Sequence, residues 1–354
     1  MTHIYVTGFG AVSPAGWGVG ALREAVLHGV PLPVHPQEHP GLPQPLPMRP
    51  VPAPFGSAAG LFGHPRLRRA SPISRYTLAA AVEALGGETA ARAAVNGRLG
   101  VVVCVTAGGV NYTRRFYDET LRDPAGASPL LFPETVFNAP ASHLAAWLGT
   151  TAESCTLVGD EGMFLQGLAL AAEWLVWERV DAAVVVGAEE PDWLVAGAQH
   201  LFARGTVHAA GAGALVLSRA PAGPPPGVVL ERVTDAFSIT RSRSRPAAAR
   251  QMRAQLPTGD AAEWLVVSAR GLPRRDAAER EAWRSWPGPT LAPQAVLGAA
   301  FNAGAAWQAV LAGDAVRRGS APAAVVSVVG TDQQAVGARF VAAGAGGLTD
   351  GAGG

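Results

Sequence analysis

Few side chains in this sequence could serve as nucleophile, base or metal ligand, and their positions exclude more chemistry than they offer. There are two cysteines, Cys104 and Cys155, with neither metal-ligand spacing nor the makings of a disulfide framework. All eight histidines lie at or before His208, so the rest of the chain contains none. Every one of the 28 basic residues is arginine, which excludes a lysine Schiff base or amine nucleophile. Asp160 and Glu161 are adjacent carboxylates ahead of an apolar helical run. The plain reading is helix capping and dipole complementation; the sharper one makes Asp160 or its neighbour a general base. Cys155 reads as a buried strand residue because β-branched Thr156 and Val158 follow it. Cys104, in the middle of an apolar run, reads as core. Gly8 and Gly10 suggest a dinucleotide turn, but Ser13 stands where the third glycine belongs and no acidic residue follows at the ribose distance.

The elements that must position these groups alternate between strand and helix. Strands are predicted at 4–7, 98–106, 153–158, 181–187, 213–218, 228–235, 264–268, 323–329 and 338–341, and helices at 19–27, 74–85, 114–121, 142–148, 162–179, 276–283 and 303–318. That alternation, with strands apolar on both faces, predicts an α/β fold with helices packed on each side of its sheets. Ten prolines between residues 31 and 54 predict a surface loop, and the Gly/Ala-rich tail 343–354 is expected to be disordered.

Composition narrows the function class. The chain has 354 residues, 49% hydrophobic and 16% charged, with a formal net charge of +1. That charge gives no reason to expect nucleic acid or an anionic membrane as partner. The sequence opens on a strand-like run, and its longest apolar stretch, 164–176, is interrupted by Gln166 and Glu173. A cytoplasmic protein with no metal and no cofactor is the expectation.

Four segments resemble the β-ketoacyl synthases, in family order: 5–16 (YVTGFGAVSPAG), 74–85 (SRYTLAAAVEAL), 166–189 and 297–306 (LGAAFNAGAA). The resemblance implies a thiolase-like fold of five layers, αβαβα, built from two pseudo-duplicated halves. The halves would span 1–220 and 221–342. It also implies a dimer whose central strand, here carrying Cys155 and Leu157, pairs across a two-fold axis.

A ketosynthase of this family carries its acyl chain on a cysteine at a strand-to-helix turn, where the helix N-terminus favours thiolate. Carrying the match onto this sequence places Gly159 at the nucleophile, Ala299 and Ser268 at the two histidines, and Gln294 at a lysine. The family's acidic loop is absent between Ala203 and Ala212, and residues 330–335 (GTDQQA) replace its phenylalanine- and glycine-rich gate.

The resemblance therefore implies a non-catalytic subunit similar to a chain length factor, paired with an active β-ketoacyl synthase in polyketide, aryl polyene or fatty-acid-like biosynthesis. In that role Thr135, Val136 and Phe137 would line the partner's acyl tunnel. Acyl carrier protein is a further expected partner, with the arginine runs 66–69 and 241–253 as one possible basic surface. Two alternatives stand beside it. One is a thiolase-fold acyltransferase or hydrolase using Cys155 or Asp160; the other is a homodimeric scaffold that binds acyl carrier protein.

Overall fold

Runs of valine, alanine and leucine fold as ten main strands. The first five are β1 (Tyr5–Ser13), β2 (Leu99–Val105), β3 (Ser154–Val158), β4 (Ala182–Glu189) and β5 (Gly211–Ser218). The second five are β6 (Val228–Val233), β7 (Trp264–Val267), β8 (Thr290–Leu291), β9 (Ala323–Val329) and β10 (Gln334–Ala342). The computed structural model describes residues 3–54, 56–64, 67, 69–94, 97–221, 227–331 and 333–344. Most of the tail expected to be disordered, Arg66 and Arg68 of the first arginine run, and Asp332 lie outside the described residues.

The strand order is β8-β7-β9-β10-β6-β1-β5-β4-β2-β3. Counted from its own first strand, each half has the same order, 3-2-4-5-1. The senses also agree: β1–β5 and β5–β4 are antiparallel and β4–β2 and β2–β3 parallel, as are β6–β10, β10–β9, β9–β7 and β7–β8. The fold is thus a duplicated α/β unit, and β1 meets β6 over only Tyr5↔Val229 and Val6↔Val228.

Ten helices matter for the site: α1 (Val19–His28), α2 (Pro72–Ala84), α3 (Val110–Arg122), α4 (Ala139–Leu148) and α5 (Met163–Val176), then α6 (Trp193–Phe202), α7 (Arg245–Ala254), α8 (Ala277–Ala282), α9 (Pro293–Leu297) and α10 (Phe301–Arg317). Three cores separate five layers. Ile73, Leu78 and Leu144 of α2 and α4 pack on Val101, Val103 and Val184. Phe164 and Leu168 of α5 and Trp307 and Val310 of α10 fill the space between the sheets, against Val102, Val185, Val326 and Val336. Ala248 and Met252 of α7 cover Leu265 and Val325 on the far side. The alternation of Val101 and Val103 with Val102 and Cys104 between two cores is why β2 reads as a continuous apolar run. Helix α10 is buried on every side from Asn302 to Val316, so it shows no polar face.

The first strand runs past its expected end at residue 7, through Gly8 and Gly10 to Ser13. A Cβ on Gly8 or Gly10 would lie 1.8 or 1.9 Å from the carbonyl oxygens of Ala84 and Ala80. These glycines let helix α2 lie directly on β1; they form no phosphate turn. The proline-rich segment is mostly exposed but carries two short strands, His35–Gln37 and Leu46–Arg49, the second pairing in parallel with His208–Ala209. Pro36 and Pro47 sit opposite each other, outside the Met48 and Arg49 positions that pair with His208–Ala209.

Candidate functional site

The two central helices start at matching places in the duplicated unit, so their approaches are where the halves face each other. Glu161 stands two residues before α5 and Ala299 two residues before α10. The turn joining β3 to α5, the elbow, is Gly159, Asp160, Glu161 and Gly162.

Its backbone is anchored to both halves. Gly159 N–H donates to Val105 O at 3.1 Å. Gly159 O accepts from Thr106 Oγ1 at 2.8 Å and from Asn302 Nδ2 of α10 at 3.1 Å. No side chain fits on Gly159 without displacing a neighbour, since a Cβ there would sit 2.4 Å from Met163 Cγ and 3.1 Å from Gln333 Oε1.

The two carboxylates do more than cap. Asp160 Oδ2 accepts from the backbone amides of Gln333 at 3.0 Å and Gln334 at 3.3 Å. Its Oδ1 accepts from Gln334 Nε2 at 3.0 Å and Gly162 N–H at 3.2 Å. Glu161, with no exposed surface, pairs with the Arg270 guanidinium. Thr331 reinforces it, hydroxyl to Oε1 at 2.7 Å and amide to Oε2 at 2.9 Å. Arg270 also donates to Thr331 Oγ1 at 3.1 Å and, through Nε, to Gln294 Oε1 at 3.3 Å. Asp276 holds the Arg270 loop by accepting its amide and that of Leu272.

Burial alone would raise the Glu161 carboxyl. The Arg270 charge and the Thr331 hydrogen bonds outweigh it and hold the group below the usual carboxylate range. Asp160 is pushed the other way, by burial and by the Glu161 charge, with Gln334, Gln333 and Gly162 offsetting part of the rise.

Gly159, Asp160, Gln294 and Ala299 thus lie at or beside the meeting of the halves. Ser268 instead closes a buried network of its own: its amide and hydroxyl donate to Glu279 at 3.1 and 3.0 Å, and Ser327 donates to the same carboxylate at 2.5 Å. Arg270, two residues beyond Ser268, reaches the elbow. Sequence reading passed over Arg270 and Thr331 and treated Glu161 as a cap. The signal was an arginine directly after an apolar strand and an acid directly before an apolar helix.

Cys155 lies in β3 opposite Val102, half-buried, and burial pushes its thiol up, away from thiolate. Cys104 is fully buried and raised further for the same reason. His143 does not reach the elbow; it pairs with Glu134, whose other oxygen accepts the Ser71 amide at 3.0 Å. Thr135, Val136 and Phe137 lie at the surface, Val136 and Phe137 being 38% and 46% exposed. The Phe137 ring rests on Gly108, where φ is +62° and a Cβ would come within 2.7 Å of it.

Residues 1–222, well over half of the chain, match the family described as β-ketoacyl synthase, N-terminal domain. The chain belongs to the β-ketoacyl synthase family. No curated protein matches it in sequence. Among solved structures, the ishigamide ketosynthase/chain length factor aligns with 22% identity and a TM-score of 0.79, over 96% of this chain and 99% of that one. A β-ketoacyl synthase from Burkholderia phymatum aligns with 17% identity and a TM-score of 0.78, over 97% and 100%. A ketosynthase in complex with its chain length factor from Xenorhabdus doucetiae gives 16% identity and 0.77, over 97% and 98%. These likenesses establish the thiolase-like ketosynthase fold that the duplicated 3-2-4-5-1 sheets display. No described helix of this β-ketoacyl synthase relative is long and apolar enough to cross a membrane.

Buried carboxylates away from the elbow set a pH dependence. Burial raises Glu279 to about 7, Glu190 to about 7 and Glu189 to about 8. Their folded values lie above the unfolded 4.5, so the native chain keeps protons that the unfolded chain releases. Stability contributed this way is fully present below the ordinary carboxylate value and is lost as pH rises through 7 to 8. Denaturant unfolding at about pH 6 and about pH 8 should show the chain less stable at the higher pH, and Glu279→Gln should flatten part of that slope.

Proposed function

We propose that this chain is a non-catalytic ketosynthase-like subunit, similar to a chain length factor, that pairs with an active β-ketoacyl synthase. The observation that carries the reading is the buried Glu161–Arg270 ion pair at the junction of the two halves. A site that must hold an acyl thioester and stabilise a developing enolate needs a nucleophile and donors free to serve it. Here the donors are committed to the chain's own carboxylates. The position two residues before α5 mirrors that of Ala299 before α10. Glu161, two residues past the aligned Gly159, and Arg270, two past the aligned Ser268, join the halves beside that position.

The partner reading draws support from the relatives. The ishigamide structure is titled a ketosynthase/chain length factor, and the Xenorhabdus doucetiae structure is a ketosynthase in complex with its chain length factor. A further neighbour, at 17% identity and a TM-score of 0.76, is a type II polyketide acyl carrier protein in complex with its ketosynthase bound to a hexaketide. An acyl carrier protein is accordingly the second partner we assign, in the same polyketide or fatty-acid-like chemistry.

Strand β3 supplies the pairing edge. It ends the sheet, bonded to β2 on one side. The bonds Val101 N to Glu153 O and Gly159 N to Val105 O fix its phase. In a parallel ladder alternate residues face the neighbour, so Ser154, Thr156 and Val158 turn their amides and carbonyls outward. Val158 is 48% exposed, and an apolar edge of this kind calls for a covering strand.

Native mass spectrometry of the chain alone and co-expressed with the ketosynthase encoded nearest to it tests the proposal. A one-to-one heterodimer is expected. A homodimer that ignores the ketosynthase would defeat the pairing and favour the carrier-protein scaffold, while stoichiometric acylation of Cys155 by an acyl thioester would favour an acyltransferase. Within the heterodimer, Phe137→Ala and Phe137→Trp should shift product chain length in opposite directions. Identical product profiles by liquid chromatography and mass spectrometry would remove Phe137 from the tunnel.

A further inference from the structure

The end of β1 and the helix lying on it frame a cavity of about 450 Å³ that shares no lining residue with the elbow. Val12 of β1 pairs across a hairpin with Trp17, and both line it. Ala79, Val82 and Glu83 of α2 line it too, as does Leu61 of the short helix Gly56–Leu61.

Two of these groups are locked in place by the chain itself. The Trp17 indole donates to Pro52 O at 3.0 Å and meets the rings of Phe62 and Tyr76 edge-on, at 5.4 and 6.0 Å. The Glu83 carboxylate accepts from Val19 N–H at 2.9 Å through Oε1 and from Ala11 N–H at 2.8 Å through Oε2. Each oxygen keeps a lone pair for a further donor. Gly18, at φ +101°, leaves Oε1 uncovered, since a Cβ there would come within 3.1 Å of it.

The charge of the cavity is one-sided. Its lining contains Glu83 and Glu88 but no arginine or histidine. Glu88 is matched by Arg92 at 3.3 Å. Arg23 of α1 and Arg317 of α10 both turn to Asp314, at 2.9 and 2.5 Å, and Arg317 acts on Glu83 only at longer range. Glu83 is left without an ion-pair partner among the described residues.

A fixed indole, aliphatic walls and an unpaired carboxylate suit an ammonium group carried on a hydrocarbon. A phosphate or a carboxylate would meet no cation in the lining. We propose that this cavity binds a small organic amine, its ammonium on the Glu83 carboxylate and its hydrocarbon against Trp17, Val12, Val82 and Leu61. The volume lies toward the lower end of small-molecule sites, roughly 300–1,000 Å³, which fits a short chain or a single ring. Because both anchors are already held, binding orders little that is not ordered beforehand. The site stands whether or not the chain pairs with a ketosynthase.

Isothermal titration calorimetry of the full-length protein with n-hexylammonium chloride tests the proposal, with 1-hexanol and sodium hexanoate as probes of charge. Hexylammonium should saturate one site with a dissociation constant below roughly 1 mM, and hexanol and hexanoate should bind at least about tenfold more weakly. Glu83→Gln should bring hexylammonium level with hexanol. Ala79→Phe, which puts a ring into the cavity, should abolish binding of both. No saturation of the unsubstituted protein by about 10 mM, or equal affinity for hexylammonium and hexanol, would overturn the assignment. Should Glu83→Gln fail to fold for want of its amide bonds, Ala79→Phe decides the location, and undiminished binding there would overturn it.

Discussion

Replacing Arg270 by alanine is expected to destabilise the chain by about 3–5 kcal/mol, because it leaves the fully buried Glu161 charge without its partner. Thr331 would still donate twice to that carboxylate, but two neutral donors do not replace a cation in a low-dielectric site. Glu161→Gln should cost less than Arg270→Ala, since Arg270 keeps its bonds to Gln294 and Thr331 and retains some exposed surface. The informative variant is the pair changed together: Glu161→Leu with Arg270→Met should recover most of the loss, because well-packed apolar side chains can replace a buried ion pair at little cost. Denaturant midpoints for Arg270→Ala, Glu161→Ala and their double provide the coupling term. Strict additivity would show that the pair does not act as a unit.

The same ion pair sets an acid limit. Glu161 titrates below the ordinary carboxylate value, so its contribution is present above that value and lost as pH falls through the lowered one. Asp160, raised by burial and by Glu161, works in the opposite sense. The acid arm should therefore be shallow in the unsubstituted protein and steeper in Asp160→Asn, where the Glu161 effect is no longer offset.

The second large effect is expected at Thr156. Its N–H faces outward from β3, so Thr156→Pro deletes a donor that the subunit itself does not use, while breaking the ladder that a partner strand would form. Losing two to three cross-interface contacts at this strand should weaken the dimer by roughly 100-fold, about 2.7 kcal/mol. The melting temperature of the isolated subunit should barely move. Sedimentation at a series of concentrations, alone and with the ketosynthase, measures both. An unchanged dissociation constant would place the interface elsewhere.

The sequence was most legible where one physical rule dominated. Strands β2, β4 and β9 are apolar on both faces, and burial in two cores leaves no other reading. Helix α5 kept its period because Glu173 and Gln166 mark its more open face. Helices α6 and α7 were missed for opposite reasons: Trp193–Phe202 is apolar nearly throughout, while Arg245–Ala254 presents so many arginines that it read as a charge run. The glycines of β1 were mistaken for a turn because nothing in sequence shows that a helix will lie against them. At the site, resemblance located the turn, yet only the fold shows that Glu161 meets Arg270, residues 109 positions apart.

The halves share a topology but not their outermost strands. β3 has five residues and β8 two, Thr290 and Leu291. A sheet with adhesive strands at both ends could add subunits head to tail without limit, and the product would be a fibre. Here only one end offers a ladder long enough to join. A junction with a like strand would use up that end on both molecules at once, so assembly would terminate after a single step. The duplication that built this fold also created the hazard of polymerisation, and the shortened β8 removes it.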